Sequence, residues 1–262
     1  MNANRHRWIM LSGFLGLESD WQPLKQQLLE FQEFQHDDWS AREHTRGAIK
    51  PFWDWAREFC GHITQQKLSS RQIPEKRVLL GYSLGGRLAL HALLTQPELW
   101  SAAVILSSHP GLGNEDHRRQ RLENDEVWAQ RFAQEPWPEV MSKWNQQEVF
   151  RGSSAERASG DSLQRFERHY DRSTLSEILR VWSLGRQENL RPMMASLRVP
   201  TLWLWGEEDV RFDPLMRELR LELIDSPAHE FQGIPNAGHR LISQAPNAVA
   251  KAISEFLRTH HL

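Results

Sequence analysis

The feature that most constrains this chain is an alternation of short strand-like runs with segments of helical length. Runs at 8–11, 33–36, 77–81, 102–107, 201–205 and 228–231 are too short to be helices. Between them, 20–29, 52–66, 85–95, 214–222 and 245–259 carry apolar residues at three- and four-residue spacing. In the last, Val249 and Ile253 share one face with Phe256 or Leu257. Strands that regularly alternate with helices build βα units, and their sheet is mainly parallel with helices on both faces. The expectation is a three-layer α/β domain whose sheet has about six strands.

One stretch breaks the rhythm. Residues 109–198 hold no convincing strand, and their runs at 125–134, 137–144, 163–170 and 175–184 read as helices. The predicted organisation is an α/β core of 1–108 and 199–262 with a helical lid at 109–198. Such an insertion falls over the carboxyl ends of the strands, where open α/β sheets bind ligands.

Charge and cysteine content narrow the function. The 34 Asp and Glu nearly cancel the 32 Lys and Arg, for a net charge of −2, which argues against a general nucleic-acid binder. Only six of the 32 bases are Lys, so Arg dominates, and Arg is the side chain suited to bidentate contact with carboxylates. The single cysteine, Cys60, excludes an intramolecular disulfide framework and a multi-cysteine metal site. Arg5, His6 and Arg7 precede an apolar run at 8–17 that superficially resembles a signal peptide. The run is short, contains Gly13 and Gly16, and lacks a small-residue cleavage site. No stretch approaches the ~18 apolar residues of a membrane span. The expectation is a cytoplasmic protein without membrane insertion, a monomer or small homo-oligomer.

The chemistry concentrates in three places. Gly81-Tyr82-Ser83-Leu84-Gly85 lies between a strand pattern and a helix pattern. This is the context of a nucleophile elbow, a turn so tight that small residues must flank the serine. A hydroxyl there needs a base, and the base needs an orienting acid. The run at 202–205 ends in Gly206-Glu207-Glu208-Asp209; Asp209 is the preferred acid, with Glu207, Glu208 and Asp213 as rivals. Thirty residues on, the loop Pro235-Asn236-Ala237-Gly238-His239 lies between the last strand and the last helix, so His239 is the base expected beside the elbow. The loop Ser12-Gly13-Phe14-Leu15-Gly16 follows the first strand; the N–H groups of Phe14 and Leu84 are the candidate oxyanion donors.

These pieces together resemble the α/β-hydrolase superfamily over nearly the whole chain, 8–257. Gly81-Tyr82-Ser83-Leu84-Gly85-Gly86-Arg87 is similar, more narrowly, to the menaquinone-pathway 2-succinyl-6-hydroxy-2,4-cyclohexadiene-1-carboxylate synthases. His109-Pro110-Gly111-Leu112, then Arg121, Asp125, Trp128-Ala129-Gln130-Arg131-Phe132 and Trp144-Asn145-Gln146-Gln147-Glu148-Val149-Phe150 agree with them. The resemblance implies a lyase that eliminates pyruvate without metal or organic cofactor, with Ser83 activated by His239 as proton acceptor. It implies a small substrate with several carboxylates, bound by Arg87, Arg121 and an insertion arginine that is Arg168 or Arg165. Tyr82 and Trp144 either line that pocket or are core aromatics. Three departures stand beside it. Ser12 replaces the superfamily's usual His, and Asp37-Asp38-Trp39-Ser40-Ala41-Arg42-Glu43-His44 replaces an acidic-Pro-Gly-His-Gly-x-Ser stretch. The superfamily's first two strands are also expected to be absent. Two rival readings remain at this level. One is a carboxylesterase or thioesterase with Ser83 as covalent nucleophile; the other is a non-catalytic binder, which would have no need of all three triad members.

Overall fold

A computed structural model describes residues 6–28, 37–38, 49–69, 76–150 and 170–262. In chain order the strands are β1 (His6–Leu11), β2 (Asp37–Asp38), β3 (Lys76–Tyr82), β4 (Ala102–Leu106), β5 (Thr201–Gly206) and β6 (His229–Ile234). The helices are α1 (Gln22–Gln27), α2 (Phe52–Ser69), α3 (Leu84–Thr95), α4 (Glu115–Gln134) and α5 (Trp137–Asn145). They continue with α6 (Arg172–Val181), α7 (Arg191–Met194), α8 (Phe212–Glu222), α9 (Leu241–Gln244) and α10 (Pro246–Thr259).

The strands form one sheet in the order β2-β1-β3-β4-β5-β6, every pairing parallel. The central strands are apolar at consecutive positions because both faces are covered, and the two-residue period of the pleat divides them. Ile9, Leu79, Ala103, Ile105 and Trp203 point into a core shared with α2, α3 and α8. Trp8, Met10, Val78, Leu80, Val104 and Leu204 point the other way, against α1 and α10. This is the expected three-layer α/β architecture. A third apolar cluster, with Trp128, Phe132, Trp137, Val140, Leu175 and Leu179, joins α4, α5 and α6 to the loop after β1.

The strand order reverses between β1 and β3: the chain leaves β1, pairs β2 outside it, and returns through β3 on its other side. Loops at the carboxyl ends of these two strands therefore diverge and leave a crevice. Every candidate loop identified above opens from a carboxyl end, after β1, β3, β4, β5 or β6.

The element boundaries correct the expectations in several places. The second strand pairs through Asp37–Asp38, while the predicted 33–36 lies outside the described residues. Strand β6 runs on to Ile234, through Gly233. The predicted helix at 20–29 is a 3-10 turn, Glu18–Trp21, followed by α1; the predicted 245–259 is α10, with the separate short helix α9 just before it. Helix α4 starts ten residues before the predicted 125, because its first half carries almost no apolar residues. Its start is set instead by the Asn114 side chain accepting from His117 N and by Glu115 and Asp116 in the first turn. Helix α6 ends at Val181, short of the predicted 184. Of the predicted run 163–170 only Tyr170 is described, and it is not helical. No strand occurs between β4 and β5 among the described residues. No helix among them is long and apolar enough to cross a membrane.

Candidate active site

The elbow is set by its backbone. Ser83 sits at φ 51°, ψ −112°, a conformation few non-glycine residues adopt, and Ser83 N donates to Leu106 O at 2.9 Å. A Cβ on Gly85 would lie 1.9 Å from the Leu11 carbonyl oxygen, so only glycine lets β1 and the start of α3 approach. The turn delivers the Ser83 hydroxyl to the end of the sheet and begins α3 immediately after it.

Three loops converge on that hydroxyl. His239 Nε2 lies 3.2 Å from Ser83 Oγ, and His239 Nδ1 lies 2.8 Å from Asp209 Oδ2. Asp209 is fully buried, and its other oxygen accepts the N–H groups of Arg211 and Phe212 at 3.1 Å each. An acceptor-only carboxylate fixes the proton on Nδ1, which leaves Nε2 free to accept from the serine. The rival acids are elsewhere. Glu207 and Glu208 are exposed, and Asp213 accepts from Trp205 Nε1 and Arg217. Tyr82 donates its hydroxyl to His239 O at 3.0 Å, holding the histidine loop, and burial pushes its phenol well up. Phe212 and Phe150 pack their rings 4.9 and 5.8 Å from the imidazole.

The loop after β1 completes this end of the site. Gly13 abuts Ser83: a Cβ there would meet Ser83 Cβ at 3.3 Å. Ser12 Oγ accepts the buried Trp21 indole N–H at 2.8 Å, so the residue standing in for the superfamily's His anchors the loop. Neither Phe14 N nor Leu84 N is engaged by another described backbone group. The first N–H groups of a helix have no intrahelical partner, and Leu84 opens α3.

The serine, Phe14, Leu84 and His239 open into a cavity of about 810 Å³. Its other walls come from α4, α5, the stretch 147–150 and the start of α8, so core and insertion share it. Arg87 and Arg121 both line it. Arg87 is buried, one helical turn past the serine, with no carboxylate in ion-pair distance among the described residues; its Nη1 donates to Gln187 Oε1 at 3.4 Å, and its guanidinium lies 5.4 Å from the Phe52 ring centre. Burial, reinforced by the charge of Arg121, lowers Arg87 well below the usual arginine range, to about 9. Arg121 donates from Nε to both oxygens of Asp125 at 2.8 Å, and Asp125 also accepts from Ser183 Oγ at 2.7 Å. Trp144 lines the cavity while packing on Phe14, Trp128 and Phe132, so it is both wall and cluster member. Tyr82 lines a neighbouring cavity of about 380 Å³ instead. Arg168 and Arg165 lie outside the described residues. Among the described residues no group of three or more His, Cys, Asp or Glu is disposed to hold a metal ion.

The family model for the α/β hydrolase fold matches residues 70–246. Two curated relatives, both 2-succinyl-6-hydroxy-2,4-cyclohexadiene-1-carboxylate synthases, cover almost the whole chain. The one from Enterobacter sp. is 30% identical over 250 residues, covering 95% of this chain and 91% of its own. The one from Yersinia pseudotuberculosis is 32% identical over 252 residues, covering 95% and 87%. The chain belongs to this synthase family of α/β hydrolases. Solved structures of similar shape are MenH from S. aureus, with TM-score 0.82 and 17% identity over 100% of this chain and 96% of that one. An esterase from Thermogutta terrifontis also superimposes, at TM-score 0.71 and 19% identity over 99% and 92%. These two likenesses show a shared fold.

Within this synthase-family chain, some residues at the site went unassigned by sequence reasoning. Phe150 and Trp144 close one shared motif, which marked the segment without giving Phe150 a role. Gln187 and Phe212 had no signal at all. Both matter only because the fold brings them beside Arg87 and His239.

Proposed function

We propose that this chain eliminates pyruvate from 2-succinyl-5-enolpyruvyl-6-hydroxy-3-cyclohexene-1-carboxylate, a lyase step of menaquinone biosynthesis. The observation that carries the reading is the buried guanidinium of Arg87, with no carboxylate partner among the described residues, in the same cavity as a hydrogen-bonded Ser83–His239–Asp209 relay. A relay alone serves many esters, whereas a desolvated cation in its cavity asks for an anionic substrate. The names of the relatives agree with that chemistry.

In this reading His239 Nε2 takes the Ser83 proton as Oγ removes the proton from ring carbon C2. The C2–H electron pair forms C2=C3, the existing C3=C4 pair moves to C4=C5, and the C5–O bond to the enolpyruvyl group breaks with its electrons. The departing enolate takes the proton from the imidazolium and becomes pyruvate. The N–H groups of Phe14 and Leu84 hold the enolate-like charge that develops on the way. Arg87 and Arg121 bind the carboxylates, and Arg168 is retained as a third. Residues 109–198 act as a lid that supplies Arg121 and Trp144, and the enzyme works in the cytoplasm as a monomer or small homo-oligomer.

Purified protein given the pathway precursor releases pyruvate, read by coupled reduction with lactate dehydrogenase, and Ser83→Ala removes most of that activity. An active-site-intact protein that releases none, yet shows an acyl burst with a nitrophenyl ester, would point to the esterase reading, which the strained Ser83 backbone also accommodates.

A further inference from the structure

His109-Pro110-Gly111 is one of the segments that carry the resemblance described above, yet neither the relay nor the arginines use it. His109 lies just past β4, half-buried in the wall of the large cavity with Arg87, Arg121 and His239. Its ring orientation is fixed locally. Gly111 N donates to His109 Nδ1 at 2.9 Å, closing a turn in which Gly111 takes φ 110°. A Cβ on Gly111 would lie 2.1 Å from Glu188 O, so glycine is required there on steric grounds as well. Leu190 N donates to Pro110 O at 2.8 Å and ties the turn down from the far side.

A ring nitrogen that accepts carries no proton, so the hydrogen of the neutral imidazole is on Nε2. Burial, with Arg191, Arg87 and Arg121 around it, pushes His109 down to about 3, which keeps the ring uncharged. Phe212 meets the ring edge-on at 6.4 Å and separates it from His239. Gln187, fully buried, links the His109 backbone to Arg87: its Oε1 accepts from Arg87 Nη1 at 3.4 Å and its Nε2 donates to His109 O at 3.1 Å. One amide therefore ties the Arg87 guanidinium to the backbone of His109, and both side chains lie on a common wall.

From this we infer that His109 is a substrate-binding residue, which donates from Nε2 to a carboxylate that Arg87 holds. A neutral donor suits the position. It adds a hydrogen bond without placing a third positive charge beside Arg87 and Arg121, whose mutual repulsion already disfavours the charged form of Arg87. With Nδ1 occupied the ring offers only a donor, so the group it meets must be an acceptor. The inference rests on the anionic-substrate reading above and specifies one of its contacts.

The test is a calorimetric titration of the full chain with trans-cyclohexane-1,2-dicarboxylate, which reads the contact without requiring pyruvate release. His109→Asn keeps an oxygen in place to accept from Gly111 N but loses the donor that reaches the cavity. It is expected to melt close to the wild type and to bind the dicarboxylate about tenfold more weakly, the loss of one charge-assisted hydrogen bond. His109→Gln restores a donor at the reach of Nε2 and is expected to recover most of the affinity. Equal affinity of His109→Asn and the wild type, or no binding by the wild type, overturns the assignment. Should His109→Asn not fold, a tenfold loss in His109→Gln overturns it equally. Dicarboxylate binding through His109 by a protein that releases no pyruvate supports the contact while refuting the proposed reaction.

Discussion

Replacing Arg87 by methionine should make the protein more stable and less able to bind its substrate. Arg87 falls more than three pH units below the usual arginine range, to about 9, because burial and Arg121 disfavour its charge. At ~1.36 kcal/mol per pH unit, that corresponds to a cost of roughly 5 kcal/mol to the folded state. The sign follows from a cation whose folded value lies below its unfolded one: the cost is complete below pH 9 and relieved as pH rises from there towards the unfolded arginine value. Methionine keeps the length of the side chain and the contact with Phe52, but leaves Gln187 Oε1 without its donor. An unmet buried acceptor returns about 1–3 kcal/mol. A net gain of about 2–4 kcal/mol is expected, on the order of 10 °C in Tm for a chain of this size. Chemical denaturation at pH 7 measures the gain, and the pyruvate assay should show KM raised at least a hundredfold. A variant that is less stable and keeps its KM would refute the claim that Arg87 is a desolvated cation held for an anionic ligand.

Three further outcomes follow from the geometry. Asp209→Asn still accepts from Arg211 N and Phe212 N, so Tm should move little, but kcat for pyruvate release should fall on the order of a thousandfold as the His239 tautomer is lost. Gly85→Ala places a methyl 1.9 Å from Leu11 O, and soluble yield should collapse with a loss of roughly 4 kcal/mol or more. His91, fully buried and pushed down to about 4 by desolvation, stays neutral in the fold while the unfolded chain takes up a proton below 6.5. Stability should therefore fall as pH drops from 6.5 towards 4, with His91 contributing about 2 kcal/mol by pH 5, and His91→Leu should flatten that part of a urea-midpoint profile.

Most of the fold was legible because burial on two faces leaves a plain mark. Runs such as Val78-Leu79-Leu80 and Leu202-Trp203-Leu204-Trp205 have no polar alternation and announce themselves as central strands. The start of α4 was not, since Glu115 to Arg121 lie on a largely solvated surface and the helix is held by a cap and charges. The triad loops were legible through order and context, but the choice among Glu207, Glu208, Asp209 and Asp213 needed coordinates. Three are acids on one loop and the fourth opens α8 just after it, and what separates Asp209 is its burial, its bonds from Arg211 N and Phe212 N, and its contact with His239. Gln187 was invisible for the opposite reason: its two bonds join residues 100 and 78 positions away, and no local pattern encodes them.

Helix α3 carries the elbow, one oxyanion donor and Arg87 on a single rigid turn. It is in effect a ruler. The separation between the reacting hydroxyl and the guanidinium is set by helical rise, at about 1.5 Å per residue, and not by any adjustable loop. Ligands are thereby sorted by the span from their reacting carbon to their charged group, before pocket shape matters. One residue inserted between Ser83 and Arg87 would turn the arginine about 100° around the axis, off the cavity, while leaving the relay itself assembled.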